Sequence, residues 1–330
     1  MKYSAFVVEE SGESNFKGSV KSLDTEDLPS GEVLIRVTYS SVNYKDALSA
    51  AGNKGVTRSF PHTPGIDAAG IVEHSTDSSF KVGQEVLVIG YDLGMNTAGA
   101  FGEFIRVPSD WIVLKPESIT SKQAMSWGTA GFTSALCIEK LISAGITCDQ
   151  GTVIVSGATG GVGSVAIKLL AKLGFNVHAL TSKSSAEDYL KALGASQVVM
   201  IDEFIEVNKR PMLKPLYSAG IDVAGGRILE NMLKQIDYQG AIACCGLVDS
   251  VELSTTVLPF ILRGVTLAGV DSVELPLNKK EELWNKIAND WSLDDMESNT
   301  TEVNLEGLNE AIQNILSGSA QGRYILKHRS

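Results

Sequence analysis

The chain has 330 residues, of which 39 are acidic and 28 basic, giving a formal charge of −11. With 44% hydrophobic and 20% charged residues its composition is that of an ordinary globular protein, which excludes disorder and collagen-like repeats. At about 150 residues per domain the length suggests two domains, and an acidic excess repels phosphate backbones, so nucleic acid is not expected as a partner.

In chain order, the opening MKYSAFVVEE offers only a short apolar run from Ala5 to Val8, too short for a signal peptide or a membrane span. Up to about residue 122 the chain reads as short strands between turns. Val33, Ile35, Val37 and Tyr39 alternate within residues 32–42, the period of a half-buried strand. Residues 61–65 are a breaker cluster, and residues 66–72 form a strand with Gly70 inside, the mark of a bulge or a close backbone approach. Residues 81–90 are a turn feeding another apolar strand. Many short, glycine-punctuated strands predict a β-barrel or sandwich.

From residue 122 the texture changes. Residues 122–143 have helical spacing, and residues 152–156 (TVIVS) are a short apolar run ending in glycines. Helices at 164–173, 186–193 and 227–236 then alternate with strands at 176–180, 197–201, 220–223, 241–245 and 266–270. Uninterrupted apolar strands alternating with helices predict a parallel sheet covered on both faces. Residues 279–291 and 305–316 read as helices, Lys279-Lys280-Glu281-Glu282 as a solvated face, and residues 322–327 as a closing strand. The fold class is α/β, a doubly wound parallel sheet in residues 123–274 beside a β-rich domain of residues 1–122 and 275–330. Cys137, Cys148, Cys244 and Cys245 form no C-x-x-C pair and no disulfide framework, so a reducing, cytoplasmic setting is expected.

The most informative segment is residues 152–181. A strand runs into Gly157-Ala158-Thr159-Gly160-Gly161-Val162-Gly163, and a helix follows with Val165, Ala166, Leu169, Leu170 and Leu173 along one stripe and Gly174 as its C-cap. A pyrophosphate needs a tight turn, backbone approach without Cβ interference, and helix N-terminal amides facing the anion. Ala158-x-Gly160-x-x-Gly163 fits the G-x-G-x-x-G fingerprint with alanine first. Such a turn can also be packing alone, and it is the complete βαβ unit of about 30 residues around it that favours a dinucleotide.

The second strand of that unit ends in Thr181-Ser182-Lys183-Ser184-Ser185, with no carboxylate until Glu187. NAD sites place Asp or Glu there for the ribose 2′-hydroxyl, whereas hydroxyls and an ammonium suit a 2′-phosphate. The predicted cofactor is NADPH; serines that merely start the next helix are the alternative.

Five stretches carry a family likeness: SSVNYKDAL (40–48), FPHTPGIDAAG (60–70), GTAGFTSAL (128–136), SGATGGVGS (156–164) and TTVLPFILRGVTLAGVDSV (255–273). On these the chain resembles the medium-chain dehydrogenase/reductase superfamily over essentially its whole length, and within it the branch of acryloyl-CoA reductases and quinone oxidoreductases. The resemblance implies a Rossmann domain for the nucleotide and a GroES-like catalytic domain. The superfamily also contains zinc alcohol dehydrogenases, which hold the metal with a Cys, a His with adjacent Glu, and a second Cys. The corresponding positions here resemble Asn43, then Ile66 and Asp67, then Thr129, and no cysteine precedes Cys137. Zinc favours thiolate and imidazole ligands at fixed distances, so no metal is predicted. His62, His74, His178 and His328 are scattered and read as surface or cap residues.

By the same resemblance Asn43, Tyr44, Lys45 and Asp46 face the nicotinamide. Tyr44 is the first candidate for contact with cofactor or substrate, its hydroxyl able to donate to a developing oxyanion or to carry a proton; Asn43 offers an amide donor, and Asp46 orients Tyr44 or Lys45. These residues also read as a helix start, with Asn43 as cap and Asp46 in the first turn. Thr133 resembles a residue flanking the nicotinamide ring, with a buried helix threonine as the alternative. The candidate cofactor contacts are Tyr44, Thr133, Thr159, Gly160, Gly161, Val162, Gly163, Thr181, Ser182 and Lys183, joined by Gly246, Leu247, Asp271 and Ser272 at later strand ends. Arg323 reaches a phosphate or lies on the surface.

The function implied is zinc-independent hydride transfer from NADPH to a C=C bond conjugated to a thioester, acryloyl-CoA above all. Such an activated acceptor needs less help than alcohol oxidation without a Lewis acid. NADPH:quinone reduction is the alternative within enzymes, and a non-catalytic NADPH-binding redox sensor the alternative outside them. Lys45, Lys54 and Arg58 are the cations available for CoA phosphates, and a homodimer is expected by analogy.

Overall fold

Residues 1–12, 15–205 and 210–329 are described by a computed structural model, in which the chain forms two units: residues 1–132 with 272–330, and residues 133–271. The first unit opens with β1 (Lys2–Glu10) and β2 (Phe16–Asp24), an antiparallel pair. β3 (Val33–Val42), the short helix α1 (Tyr44–Ala50), β4 (Asp67–Ser75), β5 (Glu85–Ile89), β6 (Phe104–Val107) and β7 (Ile112–Leu114) follow. The alternation of β3 sends Val33, Ile35 and Val37 into a core shared with Val72, Val86, Val88, Ile105 and Val107. Gly70 marks a close approach: a Cβ there would lie 2.4 Å from Arg36 O on the neighbouring strand. Helix α2 (Ser121–Ser143) is broken at Gly128, whose φ of 49° and ψ of −163° lie outside helical space.

The second unit alternates strand and helix: β8 (Thr152–Val155), α3 (Gly161–Lys172), β9 (Asn176–Thr181), α4 (Glu187–Ala192), β10 (Gln197–Met200), α5 (Ile201–Phe204), β11 (Tyr217–Asp222), α6 (Gly226–Gln235), β12 (Ile236–Cys244), α7 (Leu258–Arg263) and β13 (Thr266–Gly269). All six strands are parallel, in the order β10-β9-β8-β11-β12-β13. Numbered within the unit this is 3-2-1-4-5-6, the order of dinucleotide-binding sheets, with the reversal between β8 and β11. Val153, Ile154 and Val155 are fully buried, as expected of a central strand covered on both faces.

The chain then returns to the first unit with α8 (Leu277–Ala288), β14 (Thr300–Val303), α9 (Leu308–Leu316) and β15 (Arg323–Lys327). They complete a mixed sheet ordered β14-β15-β3-β4-β5-β7, with β6 paired to β3. β14 (TTEV) has no apolar run in sequence because it is a polar edge strand. Two sequence expectations are corrected. Lys280 is not on a solvated face: Lys279, Glu281 and Glu282 are exposed, but Lys280 points inward with Leu283, Trp284 and Ile287, the i, i+3, i+4, i+7 stripe of α8. His62 and His328 are not surface residues; each is buried with its Nε2 hydrogen-bonded to a carbonyl, Gly94 O at 2.9 Å and Ala100 O at 2.8 Å, and burial lowers both imidazole pKa values.

Candidate active site

Ligands of parallel sheets sit beyond the carboxyl ends of the strands. In the second unit that edge gathers Thr159 to Gly163 after β8, Thr181 to Lys183 from the end of β9, Gly246 and Leu247 after β12, and Asp271 after β13. Gly160 is the N-cap of α3 and among the described residues no side chain caps the helix, so its first-turn amides are left for another acceptor. Gly163 lets the helix close on the turn, since a Cβ there would come 2.4 Å from Gly157 O. Ser134 Oγ of α2 donates to Val162 O at 2.7 Å, which sets the buried Thr133 beside the glycine turn. At the end of β9, Lys183 N–H donates to Thr181 Oγ1 at 3.1 Å, Ser182 is exposed, and partial burial lowers the Lys183 ammonium pKa.

Ser156 and Asp222, which sequence reasoning missed, fasten the reversal point. Ser156 Oγ donates to Asp222 Oδ1 at 2.7 Å and accepts from Val223 N–H at 2.9 Å. Asp222 Oδ2 also accepts from Gly225 N–H at 2.8 Å, and burial pushes its carboxyl pKa up. The only available signal was an acid ending an apolar strand.

In the first unit a second set of candidates meets in a buried polar network. Asp67 accepts from Ser41 Oγ, from Asn43 Nδ2 at 2.9 Å, from Thr129 N–H at 2.7 Å and from Thr129 Oγ1 at 2.5 Å. The break at Gly128 frees the Thr129 amide for this bond. Arg323 donates from Nη2 to Asn43 Oδ1 at 3.1 Å and from Nε to Ser126 O at 3.2 Å. Asp46 accepts from Asn43 N–H at 2.8 Å, Gly65 N–H at 3.0 Å and Ile66 N–H at 2.8 Å.

This geometry revises three assignments. Arg323 is only 3% exposed and its guanidinium is committed to Asn43 and Ser126, which removes it from phosphate binding. Burial brings its pKa down to about 10, against the support of Asp67 and Asp46. The Asn43 amide is spent inside the network, donating to Asp67 Oδ2 and to Ser41 Oγ at 3.0 Å, so it is not a donor to substrate. Asp46 bonds neither Tyr44 nor Lys45 among its described partners; as the third residue of α1's first turn it holds the helix start to Gly65 and Ile66. Tyr44, 44% exposed, is the residue this helix start presents outward. Of the cations considered for a CoA ester, Lys54 is taken by Glu10 at 3.0 Å and lies over the Phe16 and Phe60 rings.

Two family descriptions match the chain, "Alcohol dehydrogenase GroES-like domain" at residues 29–117 and "Zinc-binding dehydrogenase" at residues 161–289. An acrylyl-CoA reductase, AcuI of Ruegeria pomeroyi, is 41% identical over 325 residues, 98% of each chain. The chain belongs to the medium-chain dehydrogenase/reductase superfamily. Among solved members of this superfamily, the yhdH oxidoreductase of Salmonella enterica in complex with NADP matches with a TM-score of 0.95 at 41% identity, covering 99% of this chain and 100% of that one. The Bacillus subtilis protein named "Putative quinone oxidoreductase YhfP" is 41% identical over 93% of this chain and 94% of its own. Its structure with NAD bound has a TM-score of 0.95, covering 99% of this chain and 100% of that one.

The zinc in the second family description can be tested against the side chains. Asn43, Asp67 and Thr129 turn their polar atoms on one another, and among the described residues no three His, Cys, Asp or Glu side chains gather as a metal-binding group. This donor set does not fit zinc, which needs three or four N, S or O ligands in a tetrahedral shell.

Burial, aided by repulsion from Asp67, pushes Asp46 up to about 7, against the pull of its Asn43 and Ile66 donors. A carboxyl that titrates higher in the folded than in the unfolded chain contributes its full stability below the ordinary value of 3.8 and loses it as the pH rises through about 7. Urea unfolding of the wild type and of Asp46→Asn should therefore give a stability difference that shrinks from about pH 4 to about pH 7. A difference that grows with pH would mean a depressed pKa and contradict this account.

Proposed function

We propose that the protein is an NADPH-dependent reductase of activated C=C bonds, converting a short 2-enoyl-CoA such as acryloyl-CoA to the saturated thioester. The observation that carries the reading is the end of β9. There Thr181, Ser182 and Lys183 offer hydroxyls and a cation, and no carboxylate, beside the glycine turn of a sheet with dinucleotide-binding order. The NADP-bound relative supports the same cofactor, and the near full-length likeness to an acrylyl-CoA reductase supports the substrate class. Because one neighbour holds NAD, the choice of NADPH rests on the side chains after β9.

When bound, the reduced nicotinamide supplies the hydride. The amides of Gly161, Val162 and Gly163 would hold the diphosphate, and Ser182 and Lys183 the 2′-phosphate. The bound cofactor would supply hydride to the β carbon, leaving negative charge on the thioester oxygen, and solvent water would supply the proton that the α carbon takes. The exposed Tyr44 hydroxyl would donate toward that oxygen, a contribution of roughly 3–4 kcal/mol for a well-placed donor. Asn43, Asp46, Asp67 and Arg323 keep the Tyr44 turn in place. Four free thiols, with no disulfide among them, support a cytoplasmic setting.

We also infer a homodimer. β13 is an edge strand of uncharged residues, and the segment before it exposes Val257, Ile261 and Leu262. Uncovered apolar edges of this kind are what a second copy pairs with.

The deciding assay follows NADPH absorbance with acryloyl-CoA, crotonyl-CoA and a small benzoquinone side by side. Fast oxidation with the thioesters is expected; oxidation by the quinone alone favours the YhfP-like reading, and NADPH binding without turnover favours a sensor. Lys183→Glu should weaken NADPH far more than NADH, and equal loss for both overturns the 2′-phosphate assignment. Tyr44→Phe should lower turnover with NADPH affinity kept; unchanged turnover removes the hydroxyl from the mechanism. Light scattering should find a dimer that Ile261→Asp with Leu262→Asp splits, and a monomeric wild type would sink the dimer.

A further inference from the structure

Lys280 is a fully buried cation that the proposed chemistry does not use. Its Nζ donates to Ile89 O at 2.8 Å and to Val273 O at 2.9 Å, and it stands 3.3 Å from the centroid of the Tyr91 ring. An ammonium is costly to take from water, so a site built for one on carbonyls and a ring face calls for a reason.

The surrounding backbone is built to the same end. Gly90 and Tyr91 have φ of 73° and 52°, two successive left-handed residues of which one is not glycine. Such strain persists where neighbouring structure over-determines it. Here it brings the chain against residue 273: a Cβ on Gly90 would lie 2.9 Å from Val273 Cα. Tyr91 N–H donates to Val273 O at 3.3 Å, its hydroxyl donates to Leu275 O at 3.4 Å, and its ring stacks on Trp111 at 5.5 Å.

The other side of this strut carries the polar network. Ile89 pairs with Asp67 in the β4–β5 ladder, and Gly90 N–H donates to Ile66 O at 3.1 Å, next to the amides that hold Asp46. One buried ammonium thus joins the strand end that supports Asp46 and Asp67 to the segment that begins with Ser272, a candidate nucleotide contact. All of these residues belong to the first unit.

We infer that Lys280 is a positioning residue for nucleotide binding: by binding Ile89 O and Val273 O together it fixes the register of Ser272 against the end of β5. The inference rests on the nucleotide reading above. The clasp acts on binding and leaves the hydride step itself untouched.

The test is a fluorescence titration of NADPH on the wild type, Lys280→Met and Tyr91→Leu, with kcat, acceptor KM and melting temperature measured on the same samples. Lys280→Met keeps the stem and removes the charge. Its expected signature is a Kd for NADPH raised about tenfold, with kcat at saturating NADPH and the acceptor KM near wild type. Tyr91→Leu, which leaves Lys280 in place, should move Kd the same way by less, and it decides the matter if Lys280→Met does not fold. A melting temperature that falls while Kd stays at the wild-type value makes the clasp packing alone and overturns the inference. A wild type that does not bind NADPH removes the nucleotide reading and this inference with it; wild-type binding with unchanged variants removes this inference only.

Discussion

A carboxylate shut away from water must find donors, and Asp67, fully buried, finds four in Ser41, Asn43 and Thr129. Much of the first unit follows from that requirement. The Thr129 amide is available because Gly128 breaks α2, and Gly128 can be nothing larger because a Cβ there would collide with the Ser41 side chain and the Arg323 guanidinium. Arg323 supplies the balancing cation, and it reaches the network because β15 returns to pair with the end of β3. Removing one member of such a buried charged set typically costs about 3–5 kcal/mol, so the network is fixed as a whole. Its outward product is the start of α1, with Asn43 and Asp46 turned in and Tyr44 turned out.

The second unit solves its own problem with main chain. An anion at its sheet edge needs amides that no side chain has claimed, and glycines that let helix and turn close together. α3, capped by Gly160, meets both conditions. Ser156 and Asp222 then lock the two strands between which the order reverses. At the rim, just past β9, Ser182 and Lys183 are the side chains proposed to choose between dinucleotides.

Much of this was legible in the sequence, for identifiable reasons. The βαβ unit announces itself because its periodicities and its glycines are local: strand, turn, helix and strand follow within one short stretch. The NYKD string could be read two ways, and the structure realises the helix start for Asn43 and Asp46 while leaving Tyr44 exposed. What could not be read depends on partners far apart in the chain. Arg323 is 280 residues from Asn43 and looks like any terminal arginine until β15 pairs with β3. Lys280 sits in a run of charges whose neighbours are solvated, and only the phase of α8 turns it inward. Asp222 and Asp67 end or begin apolar strands, and nothing local says that their charges are satisfied inside.

The central claim is that hydrogen bonds among Asn43, Asp67, Thr129 and Arg323, a donor set that does not fit zinc, hold the start of α1 in place. The most direct test is the rate of acryloyl-CoA-dependent NADPH oxidation before and after exhaustive dialysis against a zinc chelator, with metal content measured on both samples. The account predicts the same rate in both and no stoichiometric zinc in either. A rate that collapses on chelation and returns when zinc is added back would contradict it.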